Sequence, residues 1–480
     1  MPFLRTPTGT RRIARDDVPP RRQLAGRLAR PIAWMAEVAS IRPALGITLS
    51  FVLLIGVGTG LLMLPQSTTD GAGLAALPAL FTATSAACVT GLSVLDVGSV
   101  LSRFGQCVLL GLIEVGGLGI MTLSSFFLMQ IGQVTLRQLR ATQAMLEHLP
   151  PQLAGSLMRT IVVGTVLTEL AGAALLYGPI RRLEPDAQSA AFSAVFHSVS
   201  AFCNAGFGLY PDNFIPLRHS PLAMGTIMAL ITVGGIGFVV IRELWERWVR
   251  RRTVRLSVHT RLALASSAIL VVLGAVLVYA FERDNPATLG TMGPIDVTVN
   301  ALFNSVTTRT AGFNTVDMAR LRDPTVLVII AWMFIGGCPG STAGGVKAVT
   351  VAVLFVSLYH TMLGRDDAVI FGRCLPRRTV RRALTLAVLC GLVVFAFALA
   401  LMSAEGGSFG FAPVLFEVTS AFGTVGLSLG ITAGLSTWGQ LLLVLLMLIG
   451  RLGPLTLATA VTVEAPPTRV RYAEERVLLG

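Results

Sequence analysis

Cys88-Val89-Thr90-Gly91-Leu92 is the first of four related phrases in this sequence. The later copies are Cys203-Asn204-Ala205-Gly206-Phe207, Arg309-Thr310-Ala311-Gly312-Phe313 and Gly423-Thr424-Val425-Gly426-Leu427. Their central glycines are 115, 106 and 114 positions apart. A nearly constant period of this kind indicates a chain built from tandem structural repeats.

The composition indicates which solvent surrounds the repeats. Of 480 residues, 53% are hydrophobic and 13% are charged, and the mean hydropathy is +0.73. An ordinary soluble domain has about 25% charged residues, so these values predict an integral membrane protein. The formal charge of +13 is concentrated in three arginine-rich segments, 1–43, 242–261 and 365–382. Such clusters are typical of cytoplasmic segments facing membrane lipid, and we predict no nucleic-acid partner.

Each glycine phrase follows a short apolar stretch that lies between two longer ones. The long stretches are 45–64, 104–130, 153–177, 221–244, 262–279, 324–359, 383–402 and 439–461. The short ones are 78–87, 190–201, 297–306 and 413–422, well below the roughly 20 residues of a crossing. Non-helical backbone at membrane depth must be buried in protein or line a wet cavity. We therefore predict an all-α integral membrane protein with eight crossings, in four tandem helix–pore loop–helix repeats around one pseudo-fourfold pore.

The loops predict the boundaries and the orientation. The predicted segments are a basic cytoplasmic tail (1–43), repeats at 44–136, 137–250, 251–364 and 365–464, and a cytoplasmic carboxyl-terminal tail (465–480). The joins between repeats are rich in arginine, whereas the segments around the glycine phrases carry acidic residues, among them Glu282 and Glu405. The positive-inside rule then predicts a multi-pass protein of the cell (inner) membrane with both termini in the cytoplasm.

Four re-entrant loops around one axis would direct backbone carbonyls toward a common line. A ring of carbonyls can replace the hydration shell of a monovalent cation. Glycine permits the required backbone angles, and each preceding half-helix directs the negative end of its dipole toward the centre. The predicted selectivity-filter residues are Val89, Thr90, Gly91, Asn204, Ala205, Gly206, Thr310, Ala311, Gly312, Thr424, Val425 and Gly426.

Three of the loops carry a family resemblance. SAFCNAGF at 200–207, TTRTAGFNT at 307–315 and SAFGTVGLS at 420–428 resemble the pore loops of the Trk/Ktr/HKT cation transporter superfamily. Within it, the chain is most similar to the membrane subunit of the bacterial Ktr potassium-uptake system. The resemblance implies K⁺ as the substrate at the filter and a homodimer on a cytosolic ring of nucleotide-binding subunits. It also implies Na⁺ as a possible activator.

A second glycine phrase recurs in the inner helices, beginning at Gly116, Gly234, Gly336 and Gly450. In the first two copies we interpret it as close helix packing through small residues. The third copy adds a proline, further glycines and a lysine, which disfavour a continuous helix. We predict an unwound intramembrane gating loop there. Its predicted residues are Gly336, Gly337, Pro339, Gly340, Ser341, Thr342, Gly344, Gly345 and Lys347.

Arg451 replaces the second glycine in the fourth copy. A lone arginine at this depth costs several kcal/mol unless it is paired or hydrated. Two compatible interpretations stay open: a buried ion pair with Glu114, or a positive barrier below the filter that belongs to the gate. Glu169 is interpreted as an interhelical hydrogen-bonding group rather than an ion ligand.

Other functions are less compatible with the sequence. No catalytic constellation occurs at crossing depth, so we predict that the protein is not an enzyme. The six cysteines have neither disulfide nor metal spacing, and we predict no transition metal and no covalently bound cofactor. A sodium- or proton-coupled cation symporter remains the alternative, although such transporters usually have inverted repeats and acids on the pathway.

Overall fold

A computed structural model describes residues 43–119, 151–249, 251 and 255–453. Within these ranges the chain is helical apart from turns, loops and one antiparallel β-hairpin. Predictions that concern 1–42, 120–150 and 454–480 lie outside the described residues. They include both tails and the inner ends of the first and fourth inner helices.

The helices follow the predicted order of outer helix, pore helix and inner helix four times. The first repeat contains α1 (Pro43–Leu62), α2 (Ala76–Ala87), α3 (Val97–Val100) and α4 (Arg103–Leu118). The second contains α5 (Pro151–Arg181), α6 (Ala187–Phe202), α7 (Pro221–Ile236) and α8 (Phe238–Trp248). The third contains α9 (Val258–Glu282), α10 (Pro294–Thr307), α11 (Asp323–Phe334) and α12 (Ala348–Met362). A hairpin of β1 (Val369–Ile370) and β2 (Arg373–Cys374) precedes the fourth repeat, which contains α13 (Arg377–Ala404), α14 (Phe411–Gly423) and α15 (Thr437–Leu452). Four short 3₁₀ turns lie at Pro65–Ser67, Ile215–Leu217, Met318–Arg320 and Thr432–Gly434.

The outer helices α1, α5, α9 and α13 are the long ones. All four are long and apolar enough to cross a membrane, and the bent pair α7–α8 would be a fifth crossing in the described part of the chain. They expose large apolar side chains, such as Leu167 (62% exposed) and Ile269 (63%). Exposed aliphatic side chains along a crossing helix are in their preferred solvent when that solvent is lipid.

The pore helices α2, α6, α10 and α14 form the core. Each carries one phenylalanine that is completely buried, ten positions before the central glycine in three repeats and nine in the third: Phe81, Phe196, Phe303 and Phe416. Their bounds lie within three residues of the predicted short stretches. Equivalent buried positions in all four pore helices agree with a fourfold repeat, and the fold prediction is confirmed.

The second inner helix differs from the prediction. A continuous crossing was predicted over 221–244, but α7 ends at Ile236 and is bent by 102° from α8. The third inner segment is interrupted where an unwound loop was predicted, since α11 ends at Phe334 and α12 begins at Ala348. In a continuous helix the Phe238 N–H would donate to a carbonyl oxygen of the same helix, but here it donates to the Gly340 carbonyl oxygen (2.9 Å). A carbonyl from another segment thus replaces the helical partner, and Gly237 adopts a φ of +100°.

Two acidic residues from the outer segments are buried rather than exposed. Glu282 at the end of α9 accepts a hydrogen bond from the Arg322 N–H (2.9 Å), directly before α11. Glu405, after α13, accepts one from the Ser436 N–H (3.0 Å), directly before α15. Each carboxylate satisfies a backbone donor at a helix start and thereby fixes the inner helix to the outer helix of its repeat.

Candidate functional site

The four central glycines lie next to one another in a closed ring. A Cβ placed on each glycine would crowd the Cα of the next one, and real Cβ atoms essentially never come closer than 3.0 Å to such an atom. These Cβ-to-Cα distances are 3.1 Å from Gly91 to Gly206, 2.8 Å from Gly206 to Gly312, 3.3 Å from Gly312 to Gly426 and 3.0 Å from Gly426 to Gly91. The repeats therefore follow one another around the ring in chain order. Each such Cβ would also lie only 2.3–2.9 Å from the carbonyl oxygen that precedes the next glycine, so only glycine fits without a shift of the backbone.

The backbone of the four glycine phrases is nearly the same. The residue two positions before each glycine has a positive φ: Val89 (57°), Asn204 (60°), Thr310 (72°) and Thr424 (49°). The left-handed region is uncommon for residues other than glycine and is a genuine outlier for a β-branched residue such as valine. The surrounding contacts must therefore hold this conformation in place.

Hydroxyl groups of the pore helices supply part of that support, and they are not among the residues predicted from the sequence. The Ser85 and Ser420 hydroxyls accept hydrogen bonds from the Gly91 (3.0 Å) and Gly426 (3.1 Å) N–H groups. In the other repeats, the Ser200 and Thr307 hydroxyls donate to carbonyl oxygens just beyond the central glycine, at 2.8 Å and 2.7 Å. The sequence contains a pattern that could have predicted these hydroxyls, because a serine or threonine precedes every central glycine by six positions, or by five in the third repeat.

Each glycine phrase also buries one side-chain oxygen that has no hydrogen-bond partner among the described residues. These atoms are Thr90 Oγ1, Asn204 Oδ1, Thr310 Oγ1 and Thr424 Oγ1. Buried polar atoms in proteins are nearly always paired with protein, water or an ion. Four unpaired oxygens beside four pore-helix carboxyl ends can interact with a cation.

Two further polar residues brace the outer side of the phrases. His197 Nε2 accepts from the Leu209 N–H (3.4 Å), and the buried Glu417 carboxylate accepts from the Ser428 hydroxyl (2.8 Å). Both occupy the same position in their pore helices, nine residues before the central glycine. At the exposed start of α6, the Ser189 N–H bonds to Asp186 (2.7 Å) and lowers the pKa of that carboxyl, which keeps a negative charge at this helix end.

The predicted gating residues form a non-helical loop between α11 and α12, here called the 335–347 loop. Its two ends are joined by the Gly336 N–H donating to the Val346 carbonyl oxygen (2.8 Å). The Lys347 ammonium donates to the Ala343 carbonyl oxygen within the loop (2.7 Å). A Cβ on Gly344 would lie 3.1 Å from the Gly423 carbonyl oxygen, so the loop lies directly against the fourth glycine phrase.

Arg451 joins the 335–347 loop to two inner helices. Its guanidinium donates to the carbonyl oxygens of Thr342 and Gly116, and to that of Gly117 at 3.2 Å. The ion pair predicted between Arg451 and Glu114 is not formed among the described residues. The physical reason is that α4 ends at Leu118, which leaves its last carbonyls without helical partners and free to accept hydrogen bonds.

Glu114 instead lies beside Glu169 and Cys203 behind the second glycine phrase. The Cys203 thiol donates to Glu114 Oε2 (3.5 Å) and to Glu169 Oε1 (3.9 Å). The Glu169 side chain thus bonds from α5 to the residue directly after α6, as the predicted interhelical hydrogen bond requires, while its exclusion as an ion ligand stays a prediction. The three ligand atoms lie within 4.8 Å of one another, a grouping that can hold a metal ion. The expectation of no transition metal stays a prediction.

Comparisons with known proteins agree with one another. A family model described as TrkH, cation transport protein, matches residues 26–471. Ktr system potassium uptake protein B of Vibrio alginolyticus is 38% identical over 437 residues, 90% of this chain and 94% of that protein. The protein of the same name from Bacillus subtilis is 36% identical, over 90% of this chain and 96% of the relative. Potassium/sodium uptake protein NtpJ of Enterococcus hirae is 34% identical, over 92% of this chain and 98% of the relative. The crystal structure of the potassium transporter TrkH from Vibrio parahaemolyticus shares the fold, with a TM-score of 0.67 at 20% identity over 88% of this chain and 84% of that one.

Proposed function

Because the chain belongs to the TrkH family of cation transport proteins, we propose that it takes up K⁺ through a selectivity filter formed by its four glycine phrases. The family resemblance inferred from the sequence is confirmed, and the chain is a multi-pass transport protein rather than an enzyme. The names of the relatives support K⁺ as the substrate, and the fold supports a pore on the ring axis.

The closed ring of Gly91, Gly206, Gly312 and Gly426 is the observation that carries the proposal. Each glycine is close-packed on the next, and each phrase follows a helix that ends toward the ring. Backbone carbonyls at such a ring can take the place of water around a monovalent cation. The four different phrases give unequal ligands, so the filter has fewer well-formed ion sites than one built from four identical chains.

The 335–347 loop is proposed as the gate, with Arg451 as the positive charge that holds it. The loop contacts the second and fourth glycine phrases, and the guanidinium binds the loop to the end of α4. A flexible, glycine-rich segment is suited to move without breaking helical hydrogen bonds. Movement of Arg451 away from Thr342 would free the loop from below the ring.

The assembly is also part of the proposal. Two relatives are named as components of a Ktr system, which supports a complex with other subunits. We place two copies of the chain in the cell membrane, with both termini in the cytoplasm, on a cytosolic ring of nucleotide-binding subunits. A third relative is named as a potassium/sodium uptake protein, which supports an interaction with Na⁺, and we propose that Na⁺ acts on this chain as an activator.

The test is cation flux into liposomes that contain the purified protein, with K⁺ replaced in turn by Na⁺. We expect K⁺ entry that exceeds Na⁺ entry, and we expect Gly312→Ser to lower K⁺ entry by about tenfold or more, since a strained backbone with overlapping atoms costs on the order of 1–3 kcal/mol. Gly164→Ser is the matched control, because no atom lies within 4 Å of the Cβ position at Gly164. Absence of K⁺ entry in the wild-type protein would refute the proposal.

A coupled cation symporter is a second candidate because one observation favours it. Glu114 and Glu169 bring two carboxyl groups together at membrane depth beside the second glycine phrase, and coupled transporters use such acids. The same liposomes separate the two functions when Na⁺ and pH are equal on both sides of the membrane. A channel-like pore then passes K⁺ down a K⁺ gradient, and an imposed Na⁺ or proton gradient drives no K⁺ entry against that gradient, whereas in a symporter it does.

A further inference from the structure

The hydroxyl of Thr342 lies between the 335–347 loop and the second glycine phrase. Its Oγ1 is 3.1 Å from Asn204 Nδ2 and 3.3 Å from the carbonyl oxygen of Phe202, the last residue of α6. Thr342 is 1% exposed, and its own N–H donates to the Gly234 carbonyl oxygen of α7 (3.2 Å). The loop is thus bonded to the side chain of a predicted filter residue and not only to its surroundings.

Hydrogen-bond chemistry fixes how the Asn204 amide is oriented. The Phe202 carbonyl oxygen can only accept, so the Thr342 hydroxyl gives its single proton to that oxygen. The hydroxyl then has only lone pairs to offer Asn204, and the amide must present its Nδ2 donor. Oδ1 consequently faces away from Thr342, where it is buried and has no hydrogen-bond partner among the described residues.

This orientation leaves the second glycine phrase with an unpaired buried oxygen rather than an unpaired NH₂ group. The other three phrases bury unpartnered hydroxyl oxygens at Thr90, Thr310 and Thr424. Carbonyl and hydroxyl oxygens are ligands for a monovalent cation, whereas an amide NH₂ carries positive partial charge and repels one. Turning the Asn204 amide around would exchange one kind of group for the other.

We propose that Thr342 is a specificity-determining residue, which acts by holding the Asn204 amide with Oδ1 toward the path of a monovalent cation. This inference rests on the proposed function, since it needs a conducting ring and a movable loop. When the loop withdraws, Thr342 Oγ1 leaves Asn204 and the amide is free to turn. The position of the loop then sets the selectivity of the ring as well as its opening.

The experiment compares K⁺ and Na⁺ entry into liposomes for two substitutions of Thr342. Thr342→Val keeps the shape and removes the hydroxyl, so the ratio of K⁺ to Na⁺ entry is expected to fall about fivefold, the effect of one buried hydrogen bond. Thr342→Ser retains a hydroxyl and should restore the ratio. Thr232→Val is the matched control, because the Thr232 hydroxyl donates only to the Met228 carbonyl oxygen within α7 (2.7 Å).

The outcomes separate this inference from the proposed function. If Thr342→Val changes the rate of K⁺ entry but leaves the ratio unchanged, Thr342 is only structural and the inference is overturned while the pore stands. If the wild-type protein passes no K⁺, the proposed function fails first. Asn204→Val provides a second test should Thr342→Val not fold, because valine already occupies the equivalent position at Val89. An unchanged ratio of K⁺ to Na⁺ entry in folded Asn204→Val also overturns the inference.

Discussion

The first glycine of the inner-helix phrase has one kind of neighbour in three repeats and another in the third repeat. In three repeats, a Cβ on this glycine would approach the carbonyl carbon of a residue at the end of the repeat's own pore helix. These pairs are Gly116 with Ala87 (2.8 Å), Gly234 with Phe202 (3.0 Å) and Gly450 with Phe422 (2.8 Å). In the third repeat, Gly336 meets the carbonyl carbon of Gly344 (3.0 Å), which belongs to its own inner segment.

This difference distinguishes two layers of the molecule, the ring layer of the four glycine phrases and the layer of inner-helix glycines beside it. The ring layer has nearly fourfold symmetry, since similar positive φ values recur at all four phrases. The layer of inner-helix glycines is not, because Gly344 of the 335–347 loop lies where the end of a pore helix lies in the other repeats. A ring with a nearly fourfold backbone can surround an ion even though its four phrases offer unequal ligands, while a single asymmetric loop beside it can move without disturbing four contacts at once. The proposed filter and gate follow this division.

Disrupting the ring of the four central glycines should have the largest effect on K⁺ entry. Gly206→Ala places a Cβ 2.8 Å from Gly312 Cα and forces alanine to a φ of +69°. Strain of this kind costs about 1–3 kcal/mol, and relief requires the neighbouring phrase to shift. We expect K⁺ entry into liposomes to fall by about tenfold or more. Wild-type entry in this variant would show that the ring is not on the ion path.

The control for this variant is Gly225→Ala in α7. Gly225 has no atom within 4 Å of its Cβ position, and alanine is favoured over glycine inside a helix by about 1 kcal/mol. K⁺ entry should therefore be unchanged and the thermal unfolding temperature equal or slightly higher. A loss of entry here would mean that any substitution in this helix impairs the protein.

Releasing the 335–347 loop should have the next largest effect, and it should raise K⁺ uptake rather than lower it. Arg451→Ala removes the hydrogen bonds to Thr342, Gly116 and Gly117. Hydrogen bonds to a charged group contribute about 1.5–3 kcal/mol, so we expect the maximal rate of K⁺ uptake to rise about fivefold or more with little change in KM. Arg382→Ala, at an exposed position of α13, should leave uptake unchanged. Unaltered uptake in Arg451→Ala would exclude the barrier role.

The two layers also differ in how far the sequence predicts them. Short stretches rich in hydroxyl and small residues, each ending in a glycine phrase, predicted the four pore helices to within three residues. The interruption of the third inner helix was predicted from its proline and extra glycines, but the ends of α4, α7 and α15 were not, because a glycine in an apolar run both permits close packing and permits a helix to end. Gly119, Gly237 and Gly453 each follow the last residue of one of these helices and have a positive φ.

The partner of Arg451 was mispredicted for a related reason. The sequence shows Glu114 as the nearest plausible carboxylate, but it does not show that α4 ends at Leu118. Only that ending releases the carbonyl oxygens of Gly116 and Gly117 from helical hydrogen bonds. The contact of Thr342 with Asn204 joins residues 138 positions apart, and no local pattern indicates it.

The smallest expected effect concerns two equivalent hydrogen bonds in the ring layer. It tests whether they stabilise the first and fourth repeats equally, as the similar backbones suggest. Ser85→Ala and Ser420→Ala each remove a hydroxyl that accepts from the N–H of a ring glycine, at 3.0 Å and 3.1 Å. Each substitution should lower the free energy of unfolding by about 1 kcal/mol, the usual contribution of one hydrogen bond. Because the two bonds have the same geometry in the first and fourth repeats, the two losses should agree within about 0.5 kcal/mol and add in the double variant. Thermal unfolding in lipid measures both values. A difference above about 1 kcal/mol would mean that the two hydrogen bonds stabilise their glycine phrases unequally although the backbones match.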